Sequence, residues 1–212
     1  MGADGVWDRL AGDYDRQLQR ELTAVRAALE LASPQPDELL LDVGTGTGAV
    51  LREAARRSPR PEHALGVDPS AEMLIEVPPL PRGWKLKRAR ISRLPVPDSS
   101  VDVATAAYVL HVLEPDERAR GLAELGRVLR PGGRLVCVTP WVARRGLGRA
   151  GAFALDAVAR IAPERLGGMR TFDPRPELQR AGFRVAQART TRGGYPSLCV
   201  SSVTMPAWRP AP

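Results

Sequence analysis

The sequence predicts an α/β fold with a mostly parallel sheet of about seven strands, helices on both faces and an antiparallel last strand. Apolar runs of strand length alternate with segments of helical spacing through residues 37–139, which is typical of parallel strands joined by helices. A glycine-rich turn follows the first apolar run, as expected at a strand-to-helix junction. Two further strand-like segments near the end of the chain, joined by a Gly-Gly pair, predict a hairpin that supplies the antiparallel strand.

The amino-terminal segment is amphipathic. Apolar side chains recur every three or four residues from Trp7 to Leu29, with an interruption near Gly12-Asp13. Pro34 follows and ends the pattern. The segment is therefore predicted to be a helix that packs on the sheet.

The first strand is predicted at Leu39-Leu40-Leu41-Asp42-Val43, a short apolar run that ends around an acid and is typical of a strand buried on both faces. It leads into three alternate glycines, Gly44, Gly46 and Gly48. Glycines at these positions let the backbone bend sharply and let a ligand approach the main-chain N–H groups. A helical stripe begins at Ala49, so the positive end of a helix faces the turn. The pattern predicts a bound nucleotide-like ligand.

A second short run ends in an acid, Asp68, about 20 residues past the glycines, where a carboxylate can accept hydrogen bonds from two ribose hydroxyls. Gly44-x-Gly46-x-x-Ala49 also satisfies the dinucleotide-binding fingerprint, so this pattern alone leaves a nicotinamide enzyme open. A glycine turn and a surface aspartate without any ligand is the other alternative. The required spacing of both features disfavours it.

The middle of the chain supplies three more strands and a helix. Residues 84–89 alternate like a strand with one polar side, and Val101–Ala107 is predicted to be the fourth strand. Pro115 opens a helix with an apolar face. Arg130-Pro131-Gly132-Gly133 ends that helix and returns the chain to a fifth strand at residues 135–139.

Beyond Trp141 the pattern weakens. The elements predicted there are a helix at residues 152–161, a flexible joint at Gly167-Gly168, a short helix capped by Asp173, and strands at Phe183–Thr191 and Ser197–Thr204 joined by Gly193-Gly194. These last two strands form the predicted hairpin.

Five segments of the chain form an ordered set of motifs. They are Leu41-Asp42-Val43-Gly44-Thr45-Gly46-Thr47-Gly48, Gly66-Val67-Asp68-Pro69-Ser70-Ala71-Glu72-Met73-Leu74, Leu94-Pro95-Val96-Pro97-Asp98-Ser99-Ser100-Val101-Asp102, Val109-Leu110-His111-Val112-Leu113 and Glu124-Leu125-Gly126-Arg127-Val128-Leu129-Arg130-Pro131-Gly132-Gly133-Arg134-Leu135. Together they resemble the class I S-adenosylmethionine-dependent methyltransferases, in the branch that acts mostly on small molecules. The resemblance implies a Rossmann-like sheet, S-adenosylmethionine as the cofactor, and methyl transfer by in-line displacement to an O, N, S or C atom of a small molecule.

At 212 residues the chain is predicted to be one domain, residues 1–212, because it is too short for a second independent core of ordinary size. The same resemblance names the parts of this domain. It divides that domain into an amino-terminal helical lid at 1–33, a cofactor-binding core at 37–139, a substrate-side segment at 141–180 and terminal hairpin strands at 182–205. Tyr14 would reach the methionine end of the cofactor while its helix covers the site.

By resemblance, the Met73 side chain packs against the adenine ring and the Ala106 carbonyl holds the ammonium group of the cofactor. The full set of expected cofactor-binding residues is Tyr14, Asp42, Gly44, Thr45, Gly46, Asp68, Pro69, Met73, Arg90, Ile91 and Ala106. Arg90 departs from the family, which usually places an acid here to bond the adenine amino group, because a guanidinium cannot accept a hydrogen bond. Two alternatives stay open: the adenine rests on the backbone of Ile91, or Arg90 stacks over the ring.

If the acceptor is a hydroxyl, thiol or protonated amine, a base helps to remove its proton. His111 is the histidine that the motif order places at the cleft, and it is the predicted catalytic residue. A structural or cofactor-packing role is the alternative for His111. Asp13, Asp15 and Tyr108 are weaker candidates for the base.

Composition excludes some function classes. Only Lys85 and Lys87 among 31 basic residues are lysines, and the basic residues are spread along the chain, so the net charge of +7 predicts no nucleic-acid partner. Two histidines and two cysteines, scattered, predict no metal site, and Cys137 and Cys199 lie in apolar runs typical of core residues. No apolar run has the length of a bilayer span and no signal-peptide pattern opens the chain, so we expect a cytoplasmic monomer or homodimer without membrane insertion.

Residues 1–50 hold nine acids and four bases, whereas residues 141–212 hold four acids and twelve bases. The excess includes Arg144, Arg145, Arg149, Arg170 and Arg175, so we expect a small, partly apolar, anionic acceptor. The quinone-methylating relatives show a Gly-x-Arg-Asn-type sequence after the fourth strand, which this chain lacks. A nicotinamide-dependent oxidoreductase and a non-catalytic S-adenosylmethionine-binding protein remain the alternatives.

Overall fold

A computed structural model of the chain describes residues 14–141, 171–191 and 196–205, with side chains from residue 21 onward. The helices in these ranges are α1 (Tyr14–Ala32), α2 (Ala49–Ala55), α3 (Ala71–Ile75), α4 (Pro115–Val128) and α5 (Arg175–Arg180). The strands are β1 (Leu39–Val43), β2 (His63–Asp68), β3 (Lys85–Arg88), β4 (Val101–Ala107), β5 (Leu129–Pro140), β6 (Phe183–Thr191) and β7 (Ser197–Thr204). Strands and helices alternate through the first part of the chain, as the sequence predicts.

The strands form one seven-stranded sheet in the order β3-β2-β1-β4-β5-β7-β6. The pairs β1–β2, β1–β4, β2–β3 and β4–β5 are parallel. Only β7 runs against its neighbours, and it pairs antiparallel with both β5 and β6. The predicted mostly parallel sheet with an antiparallel last strand is confirmed.

The sheet separates two hydrophobic cores, because successive side chains of a strand point to opposite faces. On one face, Leu41 packs with Leu122 and Leu125 of α4. On the other, Leu40 packs with Val25 of α1 and Leu51 of α2. Both faces of β1 are therefore buried, which explains the aliphatic residues Leu39, Leu40, Leu41 and Val43 in it.

The start of helix α4 is explained by its first residues. Pro115 occupies its first turn, where a missing N–H costs nothing, and Asp116 and Glu117 place negative charge at its positive end. The fifth strand starts earlier than the expected residue 135, because Leu129 pairs with Val101 before the register shifts and pairing resumes at Arg134. The predicted Arg130–Gly133 turn lies within this irregular stretch of β5.

Several predictions of local structure lie outside the described residues. They are the segment from Trp7 to Asp13, the helix at 152–161, the Gly167-Gly168 joint and the Gly193-Gly194 turn. Within the described ranges, no helix has the length and apolarity to cross a membrane. In the same ranges, His, Cys, Asp and Glu side chains form no group of three that could hold a metal ion. Cys137 and Cys199 are buried free thiols in β5 and β7.

Candidate functional site

A cleft opens where β1, β2 and β4 end at the carboxyl edge of the sheet, the usual position for a ligand in an open α/β fold. It encloses about 1000 Å³ of empty space, including space open to solvent. The lining residues are Val43, Gly44, Gly46, Asp68, Pro69, Met73, Ala89, Arg90, Ile91, Ala107, Tyr108, Val109, Val112, Leu113, Glu114 and Glu117. The glycine turn and Asp68, far apart in sequence, therefore share one cleft.

The glycine turn, residues 44–48, needs glycine for two separate reasons. Gly44, Gly46 and Gly48 have φ values of +66°, +52° and +81°, in the left-handed region that other residues adopt at a cost. A Cβ atom on Gly44 would also lie 2.2 Å from Cγ2 of Val109. The turn can therefore bend and still let the opposite wall of the cleft come close.

Asp68 holds two loops together at the rim of the cleft. Its Oδ2 accepts a hydrogen bond from the Gly46 N–H, and its Oδ1 accepts one from the Ser70 N–H, each at 2.9 Å. An ionised carboxylate has about four acceptor sites, so these two bonds leave it with further acceptor capacity. Asp68 can therefore support the glycine turn and also accept a bond from a ligand hydroxyl.

Behind the turn lies a buried acid, Asp42. Its Oδ1 accepts a hydrogen bond from the Thr105 hydroxyl at 2.8 Å, while Asp42 Oδ2 and the Thr45 hydroxyl have no partner among the described residues. Burial raises the pKa of Asp42 to about 7, against the opposing effect of the Thr45 and Thr105 hydroxyls, and the nearby Asp68 charge adds to the rise. Neither Asp42 nor Thr45 is among the residues that line the cleft.

One end of the cleft is an apolar slot. It is lined by Pro69, Met73, Ala89 and Ile91. Ser70 caps α3 by accepting a hydrogen bond from the Met73 N–H at 3.1 Å, which fixes the backbone of Met73 at the slot. A flat aromatic ring suits such a surface, because a thioether packs well against an aromatic face.

The opposite wall is the 108–114 loop, which follows β4. Tyr108 begins it with a φ of +58°, and its hydroxyl is hydrogen-bonded to Ser197 Oγ at 2.7 Å. Val109, Val112 and Leu113 present apolar side chains to the cleft. This wall therefore combines a strained backbone at its start with an apolar surface.

Arg118 of α4 anchors the loop. Its Nη1 donates to the carbonyls of Leu110 and Leu113 at 3.1 and 2.7 Å. Its Nε and Nη2 donate to the two carboxylate oxygens of Glu177 on α5 at 2.5 and 3.0 Å. The guanidinium also lies 4.6 Å from the centre of the Phe172 ring. One side chain thus ties the cleft wall to the far end of the chain.

His111 does not line the cleft. It is 8% exposed, its ring meets Tyr108 edge-on at 6.3 Å, and its Nδ1 has no partner in the described part of the chain. Burial, and then the charge of Arg118, lower the pKa of His111 to about 3. The imidazole is therefore neutral at physiological pH and shielded from the space where an acceptor would bind.

Of the residues expected at the site, seven line the cleft: Gly44, Gly46, Asp68, Pro69, Met73, Arg90 and Ile91. Ala106 is fully buried, and its neighbour Ala107 lines the cleft instead. Tyr14 begins α1, and its side chain lies outside the description. The sequence alone did not identify Glu114 and Glu117 as cleft residues. Acidic side chains are common at the start of a helix, where they stabilise its positive end, so they carried no signal of a ligand.

Comparisons with known proteins agree with this geometry. Residues 41–137 match the protein family described as a methyltransferase domain. The chain is 30% identical over 158 residues to the ubiquinone/menaquinone biosynthesis C-methyltransferase UbiE of Caulobacter vibrioides, which covers 63% of this chain and 58% of the relative. It is 32% identical over 125 residues to the dimethylglycine N-methyltransferase of Parasynechococcus marenigrum, covering 56% of this chain and 44% of the relative.

The fold has close structural counterparts. The crystal structure of a SAM-dependent methyltransferase from Aquifex aeolicus superposes with a TM-score of 0.64 at 18% identity, over 93% of this chain and 98% of that chain. A likeness at this identity establishes the fold and not the activity. The chain spans about half the length of the two curated relatives.

Proposed function

We propose that the chain is a class I S-adenosylmethionine-dependent methyltransferase that transfers a methyl group from S-adenosylmethionine to a small molecule, and the match of residues 41–137 to a methyltransferase domain supports this. The observation that carries the proposal is the meeting of the glycine turn and Asp68 in one cleft at the carboxyl edge of the sheet. The turn suits close approach of a ligand to the backbone, and Asp68 is an acceptor for sugar hydroxyls.

The residues present fit this cofactor. Asp68 lies between the glycine turn and the apolar slot, so a ribose at Asp68 would direct the methionine portion toward Gly44 and Gly46. The adenine would then enter the slot beside Met73 and Ile91. Tyr14 and the Ala106 carbonyl remain proposed contacts at the methionine end. The orphaned Asp42 and Thr45 oxygens lie directly behind the turn, where they would act on the ligand through the backbone.

The bound cofactor supplies an activated methyl group on a sulfonium, so the protein has little covalent chemistry to perform. The contribution of this chain would be to position the two reactants and to exclude water. The apolar side chains of the 108–114 loop support the second role. The burial and low pKa of His111 favour a structural role for it over the role of a base.

We infer a small-molecule acceptor, with its reacting atom left open among O, N, S and C. One relative is named a C-methyltransferase and another an N-methyltransferase. The expectation of an anionic acceptor gains no support from Arg175, because its guanidinium donates hydrogen bonds to Asp173 at 2.7 and 2.9 Å. Arg144, Arg145, Arg149 and Arg170 lie outside the described residues.

Two measurements test the proposal. Calorimetric titration should show saturable binding of S-adenosylmethionine and S-adenosylhomocysteine and no binding of NAD. Release of S-adenosylhomocysteine should then be followed with matched neutral and carboxylated phenols, amines and thiols. Failure to bind either sulfur ligand would contradict the proposal, while binding without turnover on the whole panel would favour the non-catalytic alternative.

A further inference from the structure

At the slot end of the cleft, two oppositely charged side chains face each other. Arg90 follows β3, and Glu117 lies in the first turn of α4. Arg90 Nη1 and Glu117 Oε1 are 3.4 Å apart, and both residues line the cleft. Glu117 is the better buried of the two, with 26% of its side chain exposed against 52% for Arg90.

The contact between Gly121 and Ile91 locates Glu117 relative to the slot. Gly121 lies on the same face of α4, one turn after Glu117. A Cβ on Gly121 would lie 2.8 Å from Ile91 Cγ1, so this face of the helix packs directly on Ile91. Glu117 therefore stands over the segment that forms one side of the apolar slot, beside Arg90.

The sheet order decides which part of a nucleoside would reach this end. The strands run β3-β2-β1-β4, with the glycine turn after β1, Asp68 at the end of β2, and Arg90 and Ile91 after β3. A ligand with its ribose at Asp68 and its charged tail at the glycine turn must extend its base toward the end of β3. The base then lies in the slot with its edge near Arg90 and Glu117.

We propose that Glu117 accepts a hydrogen bond from the exocyclic amino group of adenine and so makes the cleft select adenosyl over inosyl ligands. The inference deepens the proposed function and rests on it. The Arg90 guanidinium has only donors and cannot accept a hydrogen bond from an amino group, whereas the Glu117 carboxylate can. Arg90 orients the carboxylate by binding Oε1, and each carboxylate oxygen can accept more than one bond.

The alternative is a surface ion pair without a ligand role, which contributes little to any measured property. The two hypotheses for Glu117 predict different affinities for S-inosylhomocysteine, in which a carbonyl oxygen replaces the amino group of adenine. A carboxylate repels that oxygen. A glutamine at position 117 can donate to the carbonyl or accept from the amine, so it should tolerate both ligands.

The experiment compares the dissociation constants of S-adenosylhomocysteine and S-inosylhomocysteine by calorimetry. The unaltered protein should prefer the adenosyl ligand by about ten- to a hundredfold, the usual scale for a hydrogen bond to a charged group. Glu117→Gln should reduce that preference to about threefold or less. Asp116→Asn is the matched control, because Asp116 is an exposed acid in the same helical turn and does not line the cleft.

Four outcomes would overturn the inference. Equal binding of both ligands by the unaltered protein, or an unchanged preference in Glu117→Gln, would remove Glu117 from base recognition while leaving the proposed function standing. An equal loss of preference in Asp116→Asn would attribute the effect to the helix charge. If the unaltered protein binds neither ligand, the proposed function fails, and the inference fails with it. Retained binding of one ligand by Glu117→Gln shows that the variant is folded.

Discussion

The two walls of the cleft are held in different ways. The glycine turn is held by main-chain hydrogen bonds, from the N–H groups of Gly44 and Thr45 to the Val67 carbonyl at 2.8 and 3.0 Å, and by Asp68. The 108–114 loop is held by two side chains. Tyr108 is hydrogen-bonded to Ser197, and Arg118 donates to two loop carbonyls and to Glu177, which lies 59 residues further along the chain. One wall is built within the part of the fold that carries β1 and β2, while the other depends on residues that follow β5.

The difference between the two walls predicts that replacing Arg118 causes the largest loss of folding stability. Arg118→Met would leave Glu177 and two carbonyls without their partner. The pair is partly buried, with 11% and 21% of the two side chains exposed, so we expect a loss of about 3–4 kcal/mol, the lower end of the range for breaking a buried pair. Urea unfolding measures the free energy of unfolding. Arg120→Met, an exposed position on the same helix, should stay within about 0.5 kcal/mol of the unaltered protein. A loss below about 1 kcal/mol for Arg118→Met would show that the Tyr108–Ser197 hydrogen bond and the remaining packing hold the loop without Arg118.

The next largest effect tests the close contact between the walls. Gly44→Ala combines a left-handed φ with a clash against Val109 and should cost about 3 kcal/mol. Gly132→Ala is the control, since Gly132 has a φ of +78° and no atom within 4 Å of the added Cβ, so it should cost about 1–2 kcal/mol. Adding Val109→Ala should recover part of the loss at Gly44 alone. Equal losses at both glycines would mean that the walls do not touch.

A smaller effect is expected at Asp68, and it concerns binding more than folding. Asp68→Asn keeps the shape of the side chain but can no longer accept from two N–H groups and a ligand at once. The affinity for S-adenosylhomocysteine should fall by about 1.5–3 kcal/mol in calorimetry. An unchanged dissociation constant in a folded variant would remove Asp68 from the ligand site.

The smallest effect on turnover is expected behind the loop. His111→Gln should change turnover at pH 8 by less than about tenfold, whereas loss of a general base costs about a hundredfold or more. The pH dependence of stability gives a second readout. Because the pKa of folded His111 is lowered to about 3, its stabilising contribution is present above its unfolded pKa of about 6.5 and is lost as the pH falls toward 3. The variant should lack that part of the acid destabilisation.

The fold was largely predictable because it follows from local patterns. The bounds of β4, β6 and β7 agree with the predicted segments, since each is a strand-like stretch closed by turn residues. The start of β5 was not predictable, because the pairing of Leu129 with Val101 is a long-range contact. A run of turn residues follows Leu129, and it conceals this early pairing.

The residues of the candidate site also divide into those with a local sequence signal and those that depend on long-range contacts. The turn and Asp68 carry a spacing that points to a ligand, so the sequence alone identifies them. Glu117 and Arg118 sit in a helix whose composition is already explained by its own start and apolar face. Their roles depend on Arg90, Glu177 and two carbonyls, which only the folded chain brings near.

The position of β7 in the sheet has a consequence for synthesis. Among the described strands, β6 pairs only with β7, which is later in the chain and lies between β6 and β5. A nascent chain that has emerged only as far as Thr191 therefore has β6 but no strand to receive it. One contact of helix α1 also needs this strand, since its Ala24 carbonyl accepts a hydrogen bond from Cys199 Sγ at 3.6 Å. During synthesis on the ribosome, the seven-stranded sheet can therefore be completed only after residues 197–204 have been made.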